Sequence, residues 1–295
     1  MVYVMIDYVT VLLTIGFLWV LAATIFDIKT KEVPNWLNFT LIIVILSYRM
    51  FYSIITNNYW VIIEGIIGLG VFLVIANALY YAKAFGGGDA KLLIALGTII
   101  WWGENWKVSA TNATTFIMLL LLIGFLYGIT MSAIIITKSE KKEKEKFFEE
   151  TKKQIKNNKK WLIITGILTI ITATISIYYK SPEIMIITII LIIIPILLIY
   201  SKTTEKTILT KKISTKELKE GDWLYKEVRL KNGMIIKAKF DGVTKEEIKK
   251  IIKNQNQVII RDGIAFVPAF LIAYIIMAIL WYSGWSLLTN ILNLV

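Results

Sequence analysis

An all-α polytopic membrane protein of about eight transmembrane helices, carrying a small cytoplasmic α+β insert, is the fold class this sequence predicts. Three observations lead to it. Of the 295 residues, 57% are hydrophobic, and the mean hydropathy of +0.67 lies above the range of ordinary soluble domains. The apolar residues gather in runs, several of them matching the roughly 20 helical residues needed to cross a hydrocarbon core of about 30 Å. The Lys and Arg residues lie almost entirely between those runs.

The eight runs cover residues 8–26, 36–56, 60–82, 89–103, 113–137, 161–179, 183–200 and 264–285. The first has no basic start and leads straight into Asp27, so it is expected to be retained as a helix rather than removed as a signal peptide. Pro34 stops it from continuing and starts the second helix, with Asn35 as a capping residue. The organisation expected along the chain begins with a membrane core of five helices over 1–137. A charged cytoplasmic linker follows over 138–160, then an additional transmembrane hairpin over 161–200. A cytoplasmic α+β module occupies 201–262, and a final helix 263–295.

The linker has ten Lys against five Glu, the pattern of a solvated helix or of an anchor at anionic headgroups. Within the module, Trp223 to Lys239 alternates around Asn232-Gly233, a hairpin signal. Thr244 stands three residues before Glu247, a capping box that opens a helix over Lys245 to Lys253, and a strand follows over Gln257 to Ile260. No acidic cluster there has the spacing of a calcium or magnesium loop.

The formal charge of +12 invites a nucleic-acid reading, but the positions of the cations argue against it. Of the 33 Lys and Arg residues, all but Arg49, Lys107 and Lys180 fall in four segments: 27–35, 82–91, 138–160 and 201–262. Eight crossings place all four segments on one face, and the excess of positive charge makes that face cytoplasmic. Both termini are then outside. The partner implied is the lipid bilayer, with no nucleic acid.

There is no histidine and no cysteine. Serine-histidine and cysteine-histidine nucleophiles, disulfide frameworks and ordinary zinc sites are excluded together. Carboxylates remain, and two stand where an apolar run meets a charged loop: Asp27 and Asp89. Asp27 on its own reads as a helix-end charge at the interface. Asp89 follows Gly86-Gly87-Gly88 and precedes Lys91, which on its own reads as a flexible turn in which glycines take backbone conformations closed to other residues and let another backbone come close. The apolar run after Asp89 gives roughly 15 helical residues, or about 22 Å. A helix that short starts below the headgroups and draws Asp89 into the edge of the bilayer, where a carboxylate is costly and marks function.

Two carboxylates brought together share one proton, because both cannot ionise easily. The ionised member activates water for attack on a peptide carbonyl. The protonated member polarises the carbonyl oxygen and then serves the leaving amine. This chemistry requires the first and fourth helices to be neighbours, which spacing along the chain does not establish.

Asp27 with Lys31-Glu32-Val33-Pro34-Asn35, and Gly86-Gly87-Gly88-Asp89-Ala90-Lys91, resemble the two signature segments of the type IV prepilin and preflagellin peptidases, the GxGD membrane aspartyl proteases. Gly263 to Phe270 resembles the final-helix motif of that family, and Leu218 to Trp223 is similar to a segment of its archaeal branch. The resemblance implies an aspartic endopeptidase without cofactor or metal. It would remove short basic leaders from prepilin-like or preflagellin (archaellin) precursors at the cytoplasmic face of the cell membrane. It assigns catalysis to Asp27 and Asp89, within the 1–137 core, with Gly86, Gly88, Lys91, Pro34 and Asn35 in support. The missing cysteine-bearing segment implies that the new N-terminus is not methylated, and Val33-Pro34-Asn35 leans toward prepilin-like substrates.

Other polar residues within the runs receive ordinary readings. Glu64 is expected to snorkel to the outer interface. Asn77, Arg49 and Gly124 are expected to serve helix packing or anchoring. Trp101, Trp102, Trp106, Trp281 and Trp285 are expected to form an outer aromatic belt. An ion- or proton-coupled transporter using Asp27 and Asp89 is the alternative from another class, but it calls for repeated helix interruptions, and only one glycine interruption is present.

Overall fold

A computed structural model of the chain describes residues 8–82, 84–103, 105–179, 182–230, 233–239 and 242–283. In chain order the helices are α1 (Tyr8–Thr30), α2 (Asn35–Thr56), α3 (Trp60–Tyr81), α4 (Gly87–Ile100), α5 (Trp106–Lys138), α6 (Lys141–Asn157), α7 (Lys159–Tyr179) and α8 (Pro182–Thr207). The strands β1 (Thr210–Ser214), β2 (Trp223–Leu224), β3 (Val228–Arg229) and β4 (Ile235–Ile236) follow, then α9 (Lys245–Asn254), β5 (Gln257–Arg261) and α10 (Val267–Tyr282).

Among the described residues, α1, α2, α3, α5 and α7 are long and apolar enough to cross a membrane. The chain is a mostly helical, multi-pass membrane protein with a small strand-containing region. Helices α4 and α10 are shorter, with 14 and 16 residues. The chain divides into two compact units, one of residues 1–130 with 264–295, the other of residues 131–263. The final helix therefore belongs with the first ones.

At the centre of the first unit is α4, which packs against α3, α2 and α1. It buries Leu92, Leu93, Ala95, Leu96, Ile99 and Ile100. Its contact with α3 is backbone on backbone, since a Cβ on Gly68 would meet the Gly97 carbonyl oxygen at 2.2 Å. Small residues permit this approach, which is how membrane helices gain packing where lipid competes for apolar surface. Helix α10 lies along α1, where the Tyr274 hydroxyl donates to the Leu13 carbonyl at 3.0 Å. Gly16 leaves room for that phenol.

The central position of α4 corrects one expectation. Trp102 is only 1% exposed and packs edge-on to Trp281, with ring centroids 5.7 Å apart, and Trp101 is buried as well. These two rings terminate a helix enclosed by protein, so they face the core and not headgroups. Trp106 and Trp281 remain exposed, as a belt requires, and Trp285 lies outside the described residues.

A second correction concerns Glu64, which is 3% exposed and does not snorkel. Arg49, 0% exposed, serves helix packing, as expected. Their charged groups pair at 3.8 Å, and the Ser109 hydroxyl donates to Glu64 at 2.9 Å. Arg49 also donates to the carbonyls of Val61, at 2.8 Å, and Trp101, at 2.9 Å. A buried charge is tolerated when it is paired and hydrogen-bonded. Arg49 has its carboxylate partner and uses both terminal nitrogens, while its buried Nε has no acceptor among the described residues. Asn77 donates to the Leu73 carbonyl of its own helix and reaches no ligand.

In the second unit, α6 is a helix, as expected, but it is docked. Phe147 is buried against Tyr200 of α8, and Glu150 pairs with Lys206 at 3.0 Å. Helix α8 runs to Thr207, seven residues beyond the apolar run that ends at 200. The strands form a sheet of order β1-β5-β2 and a separate β3-β4 pair. The hairpin around Gly233 is present, with Val228 opposite Ile236 and Gly233 at φ 80°, while Asn232 lies outside the described residues. It is shorter than the alternating pattern implied, because Trp223 and Leu224 pair with β5 instead. The capping box on α9 forms in both directions: Glu247 N–H donates to Thr244 Oγ1, and Thr244 N–H to Glu247 Oε2.

Candidate active site

Asp27 lies in the last turn of α1 and is 4% exposed. The helix ends because Lys31 turns into the left-handed region, at φ 57°, and its N–H closes on the Asp27 carbonyl at 2.7 Å. The carboxylate of Asp27 accepts from the Val267 N–H at 2.8 Å. Val267 is the first residue of α10, so the free amides and positive dipole end of that helix meet the aspartate. An exposed helix-end charge is excluded by this burial.

Asp89 lies in the first turn of α4 and accepts from the Gly86 N–H at 3.2 Å. Its own helix is thereby capped. Helix α1 packs on α4, and the two carboxylates are near enough for their charges to act on each other. The condition left open by spacing, that the first and fourth helices be neighbours, is met.

The supporting residues divide into those that act as expected and those that do not. Lys91 donates to the Asn35 side chain at 2.7 Å, which ties α4 to the start of α2 beside the two aspartates. Asn35 is therefore not the cap. Pro34 occupies the capping position at φ −59° and ψ 135°, and no side chain caps α2. The glycines also act differently from the expectation: Gly86 has φ −69°, and none of Gly86, Gly87 and Gly88 is in the left-handed region. They supply space instead of unusual backbone. A Cβ on Gly86 would lie 3.1 Å from Asp89 Oδ2, and one on Gly88 would lie 3.5 Å from the Val33 amide nitrogen, an ordinary contact.

Three contributors received no role beforehand, although Phe266 and Val267 lie in the Gly263–Phe270 segment already singled out. The Val267 amide is a backbone donor, for which no side-chain pattern exists. Phe266, just before it, stacks among Phe85 and Phe270 and fits against Gly124 of α5, where a Cβ would meet the ring at 2.5 Å. Tyr127, one turn after Gly124, is within electrostatic range of Asp27. A small residue followed three positions later by a tyrosine in an apolar run was the available signal. Among the described residues, no group of His, Cys, Asp and Glu is arranged to hold a metal ion.

Residues 14–135 match the model of the type IV leader peptidase family. The preflagellin peptidase of Methanococcus voltae is 33% identical over 86 residues, which cover 29% of this chain and 36% of that protein. The preflagellin peptidase of Methanocaldococcus jannaschii is 29% identical over a stretch of the same extent. The matched stretch thus spans little more than a third of these relatives' length. No solved structure matches. Residues 14–135, which hold both aspartates and the contacts around them, are thus similar to the type IV leader peptidase family.

Proposed function

We propose that the chain is a membrane aspartyl endopeptidase that removes a short basic leader from preflagellin or prepilin-like precursors. The observation that carries this reading is the pairing of Asp27 and Asp89 across α1 and α4, each buried or half-buried at the end of an apolar helix. The names of the relatives support leader processing, and the matched residues include both acids.

In the reaction the pair holds one proton. The ionised carboxylate takes a proton from water as the oxygen attacks the scissile carbonyl carbon. The protonated carboxyl gives its hydrogen to the carbonyl oxygen, and a tetrahedral diol forms. The diol collapses with cleavage of the C–N bond. One hydroxyl returns its proton to the carboxylate that had protonated the carbonyl oxygen, and the amine leaves with the proton that the other carboxyl had taken from water, which restores the one-proton pair. A leader with a new carboxylate and a mature protein with a free amine result, and no methyl group is added. The gathering of Lys and Arg in the four loop segments supports a site at the cytoplasmic face, on the side where a basic leader is retained.

The test incubates detergent-solubilised protein with a preflagellin and, separately, with a prepilin-like precursor, and follows the leader by mass. A single cut at the leader junction is expected. Asp27→Asn and Asp89→Asn should each lower the rate by about 10²–10⁴-fold, the usual contribution of a positioned acid or base. Full activity in either variant overturns the assignment. The mass of the mature product also reads the absence of methylation.

A further inference from the structure

We propose that the second unit carries a binding site for an anionic phospholipid, formed by the apolar groove between α6 and α8 and the lysines on the flank of α6. The groove has a volume of about 230 Å³ and is lined by Phe147, Thr151, Ile155, Ile196, Ile199 and Tyr200. Ile155 and Ile196 remain 47% and 62% exposed, so the docking of α6 on α8 leaves apolar surface uncovered.

Charge identifies the occupant. Residues 151–160 hold five lysines and no carboxylate, whereas all four Glu of α6 lie in its first ten residues, at 143, 145, 149 and 150. Lys152 is one helical turn from both Phe148 and Ile155, and Lys156 is one turn beyond Lys152. These two therefore stand on the rim of the face that meets the groove. Lys153 interacts with Glu150 along the helix, but Lys152, Lys156 and Lys159 form no ion pair among the described residues. Lys159 opens α7, an apolar span of 21 residues, with Trp161 just inside it. The cluster thus stands where a membrane helix enters the bilayer, at headgroup depth, where lysines recognise anionic lipid. An acyl chain fills the groove and the phosphate meets the lysines. A free phosphate would leave the apolar groove empty, and an uncharged lipid would leave the lysines without a partner.

The experiment uses the full-length protein in detergent, with bound lipid counted by native mass spectrometry. Phosphatidylglycerol and phosphatidylcholine of the same acyl chains are offered in equal amounts. Wild type should retain phosphatidylglycerol in preference, and inorganic phosphate should not displace it. K152Q/K156Q/K159Q should lose about a hundredfold in retention, at roughly fivefold per lysine. K141Q/K142Q/K144Q removes the same charge from the other end of α6 and should change little. Ile196→Trp fills the groove and should also expel the lipid. Equal retention of the two lipids, equal loss in both triple variants, or displacement by phosphate would each overturn the proposal. A mass of two chains without lipid would assign the groove to a second copy and overturn it as well. None of these readouts depends on peptide cleavage.

Discussion

The Val267 amide donates to the Asp27 carboxylate at 2.8 Å, joining residues 240 positions apart in the chain. One of the two proposed catalytic acids is thereby held by the first backbone amide of the last described helix. Orientation of a reacting group within a fraction of an ångström is worth large factors in rate. The packing that places the start of α10 consequently sets the orientation of the proposed acid.

Gly124 is the position that tests this coupling. A Cβ there would meet the Phe266 ring at 2.5 Å, so Gly124→Ala must displace Phe266 and with it the adjoining Val267 amide. Cleavage should fall about tenfold or more, with the helical content unchanged by circular dichroism. Phe266→Leu removes the obstructing ring edge and should restore activity in the double variant. Undiminished cleavage by Gly124→Ala alone would show that the Phe266 contact does not position Asp27.

The glycines before Asp89 are expected to differ from one another. Gly86→Ala brings a methyl to 3.1 Å from Asp89 Oδ2 and should lower the cleavage rate several-fold, with the thermal midpoint nearly constant. Gly88 lies within α4 without positive φ and with only ordinary contacts to Val33. Alanine there reduces the freedom of the unfolded chain and should raise stability by about 0.5–1 kcal/mol, read as a higher thermal midpoint. A lower midpoint for Gly88→Ala would mean that the segment requires glycine for its backbone after all.

What the sequence made legible, and what it did not, follows from the range of each signal. Asp27 and Asp89 were legible because each interrupts an apolar run, and a carboxylate there calls for an explanation. The Thr244 and Glu247 cap was legible because its partners are three residues apart. Glu64 was misread because it was taken alone, although it and Arg49 flank the short turn at 57–59 between α2 and α3. Trp101 and Trp102 were misread because run length alone cannot distinguish a short helix at the interface from one enclosed by others. Trp223 and Leu224 joined β5 because an alternating pattern specifies a face and not a partner.

Glu247 links pH to the stability of the strand-containing region. The Lys239 ammonium donates to it at 2.9 Å, the Thr244 amide adds a second donor, and together they hold its carboxyl below the ordinary glutamate range. A lowered folded-state pKa stabilises at pH above the unfolded value and ceases to do so as pH falls through the folded value. Amide exchange in α9, corrected for intrinsic rates, should therefore accelerate below about pH 4 in wild type. Glu247→Gln should remove that acid dependence, while Thr244→Ala should weaken α9 at every pH by about 1 kcal/mol. Identical acid profiles in wild type and Glu247→Gln would exclude the linkage.

The buried pair of Arg49 and Glu64 yields the largest expected effect on stability. Arg49 joins α2 to α3 through Glu64 and the Val61 carbonyl, and it reaches the last carbonyls of α4 at Ile99 and Trp101. Those carbonyls belong to the end of a helix, where four acceptors lack intrahelical partners. The same helix carries Asp89 at its other end. Arg49→Met leaves the Glu64 carboxylate buried without its cation and should destabilise the fold by about 3–5 kcal/mol. Glu64→Gln keeps the Ser109 contact and removes the charge, so its cost should be smaller. The double variant Arg49→Met with Glu64→Leu leaves no orphaned charge and should be more stable than Arg49→Met alone, a non-additivity that a double-mutant cycle in thermal unfolding measures directly. Additive losses would mean that Arg49 acts through the α4 carbonyls and that its pairing with Glu64 contributes nothing.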